Sequence, residues 1–102
     1  MPRKTAKKLS PIHPGEMLRD ILSEAGLSAN ALALALRVPA NRITAILNGK
    51  RGITADTAMR LARYFKTSAG MWMTLQTRYD IQLAEDKMRE QVDREVLPRS
   101  AA

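Results

Sequence analysis

Residues 28–51, SANALALALRVPANRITAILNGKR, hold two short helix-forming runs separated by Arg37-Val38-Pro39. The first run is rich in Ala and Leu, which favour helix strongly, and Ser28 or its neighbour supplies an N-cap. Proline breaks a helix interior but is tolerated in a first turn, so the chain turns near Arg37 and Val38 and Pro39 opens a second helix. Leu32, Leu36, Val38, Ile43 and Ile46 fall where two helices crossing at a steep angle bury them against each other. Ala33 lies on the inner side of that crossing, where a larger side chain would push the helices apart. The second helix keeps a short-chained outer face of Ala40, Asn41, Arg42, Thr44, Ala45 and Asn48. Two helices joined by a tight turn, the second with a free outer face, form the layout of a helix-turn-helix that enters the DNA major groove.

The flanking sequence continues in helices. On the N-terminal side, Pro14 starts a helix that carries Met17, Leu18, Ile21 and Leu22 on one face and ends at Ala25, before Gly26. On the other side, Asn48-Gly49 suits a left-handed exit, and Lys50-Arg51-Gly52 forms a basic loop. Thr54 caps a fourth helix with Asp56 in its first turn and Ala58, Leu61, Ala62 and Phe65 facing inward. Lys66-Thr67 turns the chain and Ser68 begins a fifth, longest helix. In it Met71 or Trp72, Leu75, Tyr79 and Leu83 recur at helical spacing, beside a second stripe of Ile81, Ala84, Met88 and Val92. Two stripes are more than one small core requires. After about Glu85 the charges alternate, so the stretch that ends at Leu97-Pro98 is either a solvated helical extension or a frayed tail. The expectation is an all-α fold of five helices. Residues 1–12 form a flexible basic arm, 13–87 the helix-turn-helix DNA-binding domain, and 88–102 a charged C-terminal extension.

A chain of 102 residues is one domain with a modest core. It has no cysteine, which removes a disulfide frame, a thiolate zinc site and a cysteine nucleophile together. The single His13 cannot build a metal site alone, and no cofactor is expected. There is no Ser/His/Asp set and no Gly-rich phosphate loop, so an enzyme is not expected. No apolar run approaches the roughly 18 residues that span a bilayer, and the basic N-terminus leads into no signal peptide, which points to the cytoplasm.

The net charge of +7 and the pI near 10.4 point to a polyanionic partner. Its distribution is more informative than its total. Arg3, Lys4, Lys7 and Lys8 stand in an N-terminal block without an acid, and residues 27–55 hold Arg37, Arg42, Lys50 and Arg51, again without an acid. Residues 66–102 balance six cations with six acids. The excess therefore lies on the arm and the helix-turn-helix.

Within that unit, Asn41 can pair bidentately with adenine, Thr44 can meet a thymine methyl or a base edge, and Ala45 can touch a thymine methyl. A good bidentate pair contributes about 1 to 3 kcal/mol of discrimination. The competing structural roles are a helix cap for Asn41 and a solvated surface position for Thr44. Arg42 reaches either a guanine or a phosphate. Asn48, Lys50 and Arg51 lie where phosphates flank the groove, which makes them positioning contacts. The arm cations track the backbone or enter a neighbouring groove. Neutralising about six phosphates corresponds to a log–log salt slope near −5.

The segment 48–65, NGKRGITADTAMRLARYF, followed by Thr67-Ser68, Trp72, Leu75-Gln76 and Tyr79-Asp80, resembles HigA-type antitoxins. The likeness extends back to His13-Pro14-Gly15-Glu16 and covers roughly residues 10–87. That family is similar to the wider Cro/repressor-type domains. The resemblance implies five helices, a homodimer on a palindromic operator in its own promoter, and a HigB-type toxin partner that cleaves mRNA on the ribosome and is silenced by the antitoxin. It implies dimerisation through the fifth helix and its surroundings, hence through Trp72, Leu75, Tyr79, Ile81 and Met88, with a core role as the alternative for Trp72. Two positions depart from the family. Relatives generally carry Gln where this chain has Ala29, a side chain that contacts phosphate or buttresses the third helix, so its loss either weakens docking or shifts the load to Asn30 and the arm. Relatives usually place Gly at the turn position held here by Arg37, which suits positive φ; an Arg in that conformation costs about 1 kcal/mol or slightly more. Either a contact between Arg37 and a phosphate offsets that strain or the turn differs. The other functional reading is a stand-alone phage- or plasmid-type repressor without a toxin partner, since nothing in the helix-turn-helix itself encodes toxin binding.

Overall fold

Each helix begins where a local cap satisfies its first N–H groups, or where proline removes one of them. In the computed structural model, which describes residues 11–100, α1 spans Pro14–Ala25, α2 Ala29–Leu36, α3 Ala40–Leu47, α4 Ala55–Phe65 and α5 Ala69–Glu95. There is no strand among the described residues. Ser28, Thr54 and Ser68 cap α2, α4 and α5 by accepting the N–H of Ala31, Thr57 and Met71. Pro39 precedes α3 by one residue and offers no side-chain cap. The cap of α1 is unexpected. The Nδ1 atom of His13 accepts the Gly15 N–H at 2.9 Å while the Glu16 carboxylate accepts the His13 N–H, a capping box with histidine in the usual Ser/Thr place.

The four shorter helices end alike. Leu27, Val38, Lys50 and Thr67 each donate an N–H back across the last turn, to Leu22, Ala33, Ala45 and Ala62. Each exit needs a left-handed residue, and these are Gly26, Arg37, Gly49 and Lys66, with φ of 65°, 62°, 72° and 58°. The turn at Arg37 is therefore the same left-handed turn that a glycine would make. A side chain in that conformation costs about 1 kcal/mol. Arg37→Gly is expected to stabilise the fold by about that amount, raising the melting temperature by roughly 4–8 °C in a domain of this size. A thermal melt checks it, with Lys66→Gly as the parallel case; an unchanged or lower midpoint would show that the Arg37 turn stores no strain.

α3 packs on α1 and α2, α4 packs on α2 and α5, and α1 reaches α5. The core consists of Leu18 and Leu22, Leu32, Ala33 and Leu36, Ile43 and Ile46, Ile53, Ala58 and Leu61, and Trp72. Val38 is only half-buried and Met17 is 41% exposed, so neither lies in the core interior. Trp72 corrects the expectation that placed it in a dimer interface. It is 0% exposed within the single chain and donates its indole N–H to Thr67 Oγ1 at 3.1 Å, so it has no surface to offer a partner. α5 has 27 residues, about 40 Å at 1.5 Å per residue. From Ala84 onward every described residue is exposed, and the helix nevertheless runs unbroken to Glu95. Of the two readings for the stretch after Glu85, the structure has the helical extension.

Candidate nucleic-acid interface

Ile43 and Ile46 are fully buried and anchor α3 against its neighbours. A helix held by residues three apart turns the opposite side outward. Asn41, Thr44 and Asn48 lie on that exposed side, while Ala45 is half-buried at its margin. Since Pro39 is the N-cap and no side chain caps α3, Asn41 is not spent as a cap, and its amide is free for another partner. Thr44 Oγ1 donates back to the carbonyls of Ala40 and Asn41 at 3.4 and 3.3 Å. Its hydroxyl oxygen therefore keeps lone pairs that can accept a base amino hydrogen, and the exposed side chain can touch a thymine methyl.

Three supports of this face went unnoticed in the sequence. α3 has no cation in its own last turn, and Arg19 of α1 supplies one, donating from Nη2 to the Leu47 carbonyl at 3.1 Å and to Asn48 Oδ1 at 3.3 Å. The Asn48 oxygen is thereby occupied, leaving its amide hydrogens as donors for an anion. Carbonyls at the end of α3 that lack a local partner were the available signal. The second support is Gln76, 8% exposed, whose Oε1 accepts the Ile53 N–H at 2.7 Å and whose Nε2 donates to Asp80 at 2.9 Å. It fastens the loop that carries Lys50 and Arg51 to α5. Gly52 fits this arrangement, because a Cβ there would stand 2.9 Å from the Gln76 amide.

The third support involves Arg42. Rather than extending freely from α3, Arg42 donates from Nη1 to Asp56 at 2.8 Å, and its Nε is buried without a partner. Asp56 also accepts from Arg60 Nε, and Arg60 Nη1 donates to the Leu36 carbonyl at 2.9 Å. The hydrogen bonds from Arg60 and then from Arg42 hold the Asp56 carboxyl below its ordinary value of 3.8. The carboxylate thus keeps its charge at neutral pH and loses it only on strong acidification.

Asn30, Arg37, Lys50 and Arg51 are exposed. Ala29 is half-buried as the first residue of α2. The arm cations Arg3, Lys4, Lys7 and Lys8 lie outside the described residues. Of the residues expected at a dimer interface, Leu75 and Tyr79 are half-buried, and Tyr79 stands edge-on to the His13 ring with centroids 4.8 Å apart. Ile81 and Met88 are exposed and share one side of α5 with Ala84 and Val92. Among the described residues no group of His, Cys, Asp or Glu could hold a metal ion, and no helix is long and apolar enough to cross a membrane.

A helix-turn-helix domain family matches residues 15–78. Virulence-associated protein I of Dichelobacter nodosus is 53% identical over 79 residues, covering 76% of this chain and 73% of the relative. An addiction module antidote protein of the HigA family from Coxiella burnetii superposes with a TM-score of 0.83 at 49% identity, covering 89% of this chain and all of that one. This chain belongs to the HigA-type helix-turn-helix family. Another solved member, the Pseudomonas aeruginosa antitoxin HigA with the higBA promoter, gives a TM-score of 0.84 at 47% identity over 88% of this chain and 99% of its own. The residues matched by the family run from α1 into α5.

Proposed function

We propose that this chain is the antitoxin of a type II toxin-antitoxin pair and a repressor of its own operon. It binds a palindromic operator as a homodimer, and it binds and silences a HigB-type mRNA-cleaving toxin, in the cytoplasm. The observation that carries the DNA half is the exposed α3 face of Asn41, Thr44 and Asn48 beside exposed Lys50 and Arg51, in a stretch with no acid from 27 to 55. Asn41 and Thr44, with Ala45 and Arg42 at the margin, read base edges. Asn30, Arg37, Asn48, Lys50 and Arg51, with the arm, hold phosphates. The relative solved with its promoter supports this reading. The exposed row Ile81, Ala84, Met88 and Val92 is a surface that dimerisation would cover, while the half-buried Leu75 and Tyr79, on the opposite side of α5, would extend the contact only from beside α1.

The test has two arms. Purified protein mixed with a duplex from upstream of its own reading frame should give a footprint of two half-sites about one helical turn apart. Asn41→Ala with Thr44→Ala should relax that preference while leaving the melting temperature nearly unchanged; a footprint identical to wild type sinks the assignment of α3. Co-expression with the adjacent reading frame should yield a stable complex and restore growth. A protected operator without such a complex favours the stand-alone repressor.

A further inference from the structure

Asp56 is the acid that borders the acid-free stretch 27–55, and its carboxylate accepts from one arginine on α3 and another on α4. Its position in the first turn of α4 suits a negative charge, but Ser28 and Ser68 begin α2 and α5 without one. Asp56 is 55% exposed, so its presence is not explained by burial. Through Arg60 it is tied to the Leu36 carbonyl at the end of α2, and through Arg42 it is tied to α3. Both helices of the helix-turn-helix are thus connected to one carboxylate.

An arginine on a DNA-reading helix has two ways to act. Loose, it is a mobile cation that seeks any phosphate and adds about 0.9 to the salt slope without reading sequence. Held by a carboxylate, its planar fork keeps one direction and part of its charge is cancelled. Arg42 is in the second state: Nε is buried, Nη1 is engaged by Asp56, and Nη2 makes no hydrogen bond within the protein. We infer that Asp56 is a positioning residue for operator recognition, which orients Arg42 on α3 with Nη2 toward the groove and keeps Arg42 and Arg60 from acting as free phosphate contacts. Asp56 itself does not touch DNA. The inference rests on the reading of α3 as the DNA-contacting helix.

Asp56→Asn removes the charge and keeps the shape, and because the side chain is exposed the fold persists. Affinity for the upstream duplex and for a scrambled duplex of equal length, each at several salt concentrations, measures the effect. The ratio of the two affinities should fall about tenfold, the scale of one oriented base contact. Binding to the scrambled duplex should tighten, with a slope steeper by about one to two. In an Arg42→Gln background the same Asp56→Asn change should leave the ratio untouched. Equal tightening on both duplexes would mean a bulk charge effect and overturn the inference. Equal weakening on both, with a lowered melting temperature, would make the cluster structural only and also overturn it. A persistent change of ratio without Arg42 would show that Asp56 does not act through that side chain. A wild-type protein with no preference for the upstream duplex would instead sink the DNA reading itself.

Discussion

Replacing Gly15 by alanine is expected to destabilise the fold by about 3 kcal/mol, the upper part of the usual range for overpacking, and to abolish operator preference. Gly15 is the second residue of α1, and a Cβ there would stand 2.0 Å from the carbonyl oxygen of Ile46 and 2.9 Å from its carbonyl carbon. The obstacle is backbone, in the last turn of α3, so no rotamer change relieves it. The added methyl would also come within 3.1 Å of His13 Nδ1, the atom that caps α1. The better helix propensity of alanine recovers at most about 1 kcal/mol. The chain must therefore open the α1–α3 contact, which shifts α3 against the frame that Arg19, about one turn further along α1, completes at Leu47 and Asn48. Denaturant unfolding together with binding to operator and scrambled duplexes checks both parts. A midpoint equal to wild type would mean that the close approach of α1 to Ile46 is absent in solution.

The helix ends were legible because their causes are local. Ser28, Thr54 and Ser68 each bond an N–H three residues on, and Gly26 and Gly49 occupy left-handed exits. The polar face of α3 was legible for the same reason, as it follows from spacing around Ile43 and Ile46. What escaped is held by contacts between distant positions. Arg19 to Leu47 spans 28 residues, Gln76 to Ile53 spans 23 and Arg60 to Leu36 spans 24. No window of periodicity contains both partners. Asp56 lay just past the acid-free block, so counting charge by block left it on the far side of a boundary that the fold crosses at Arg42. Periodicity failed differently on α5. It grouped Trp72 with Leu75 and Tyr79 because all share a helix side, yet it carries no information on how deep each position lies. The helix enters the core at one end and leaves it within three turns, so that stripe runs from a fully buried ring to half-exposed residues.

That gradient makes Trp72→Ala the substitution with the largest expected effect. The indole is completely buried at the start of α5, in the cluster that α4 shares with it. Truncating a buried aromatic to alanine costs about 3–5 kcal/mol, because the transfer free energy is lost and the cavity collapses only in part. A domain of this length is stabilised by about 5–15 kcal/mol in total, so the variant keeps little margin. The Thr67 hydroxyl, which accepts the indole N–H, would lose that partner just before the Ser68 cap, weakening the start of α5 as well. Trp72→Phe separates the two contributions. It retains most of the ring volume and removes the hydrogen bond, with an expected cost of about 1 kcal/mol from that bond plus a smaller packing loss. Urea titrations of both variants, with sedimentation to read the oligomeric state, distinguish a core residue from an interface residue. A core residue lowers the midpoint in the order wild type, Phe, Ala, and association falls only as unfolding sets in. A Trp72→Ala protein with a wild-type midpoint and a monomeric mass would return the residue to the dimer interface, at odds with a side chain that leaves no area for a partner to cover.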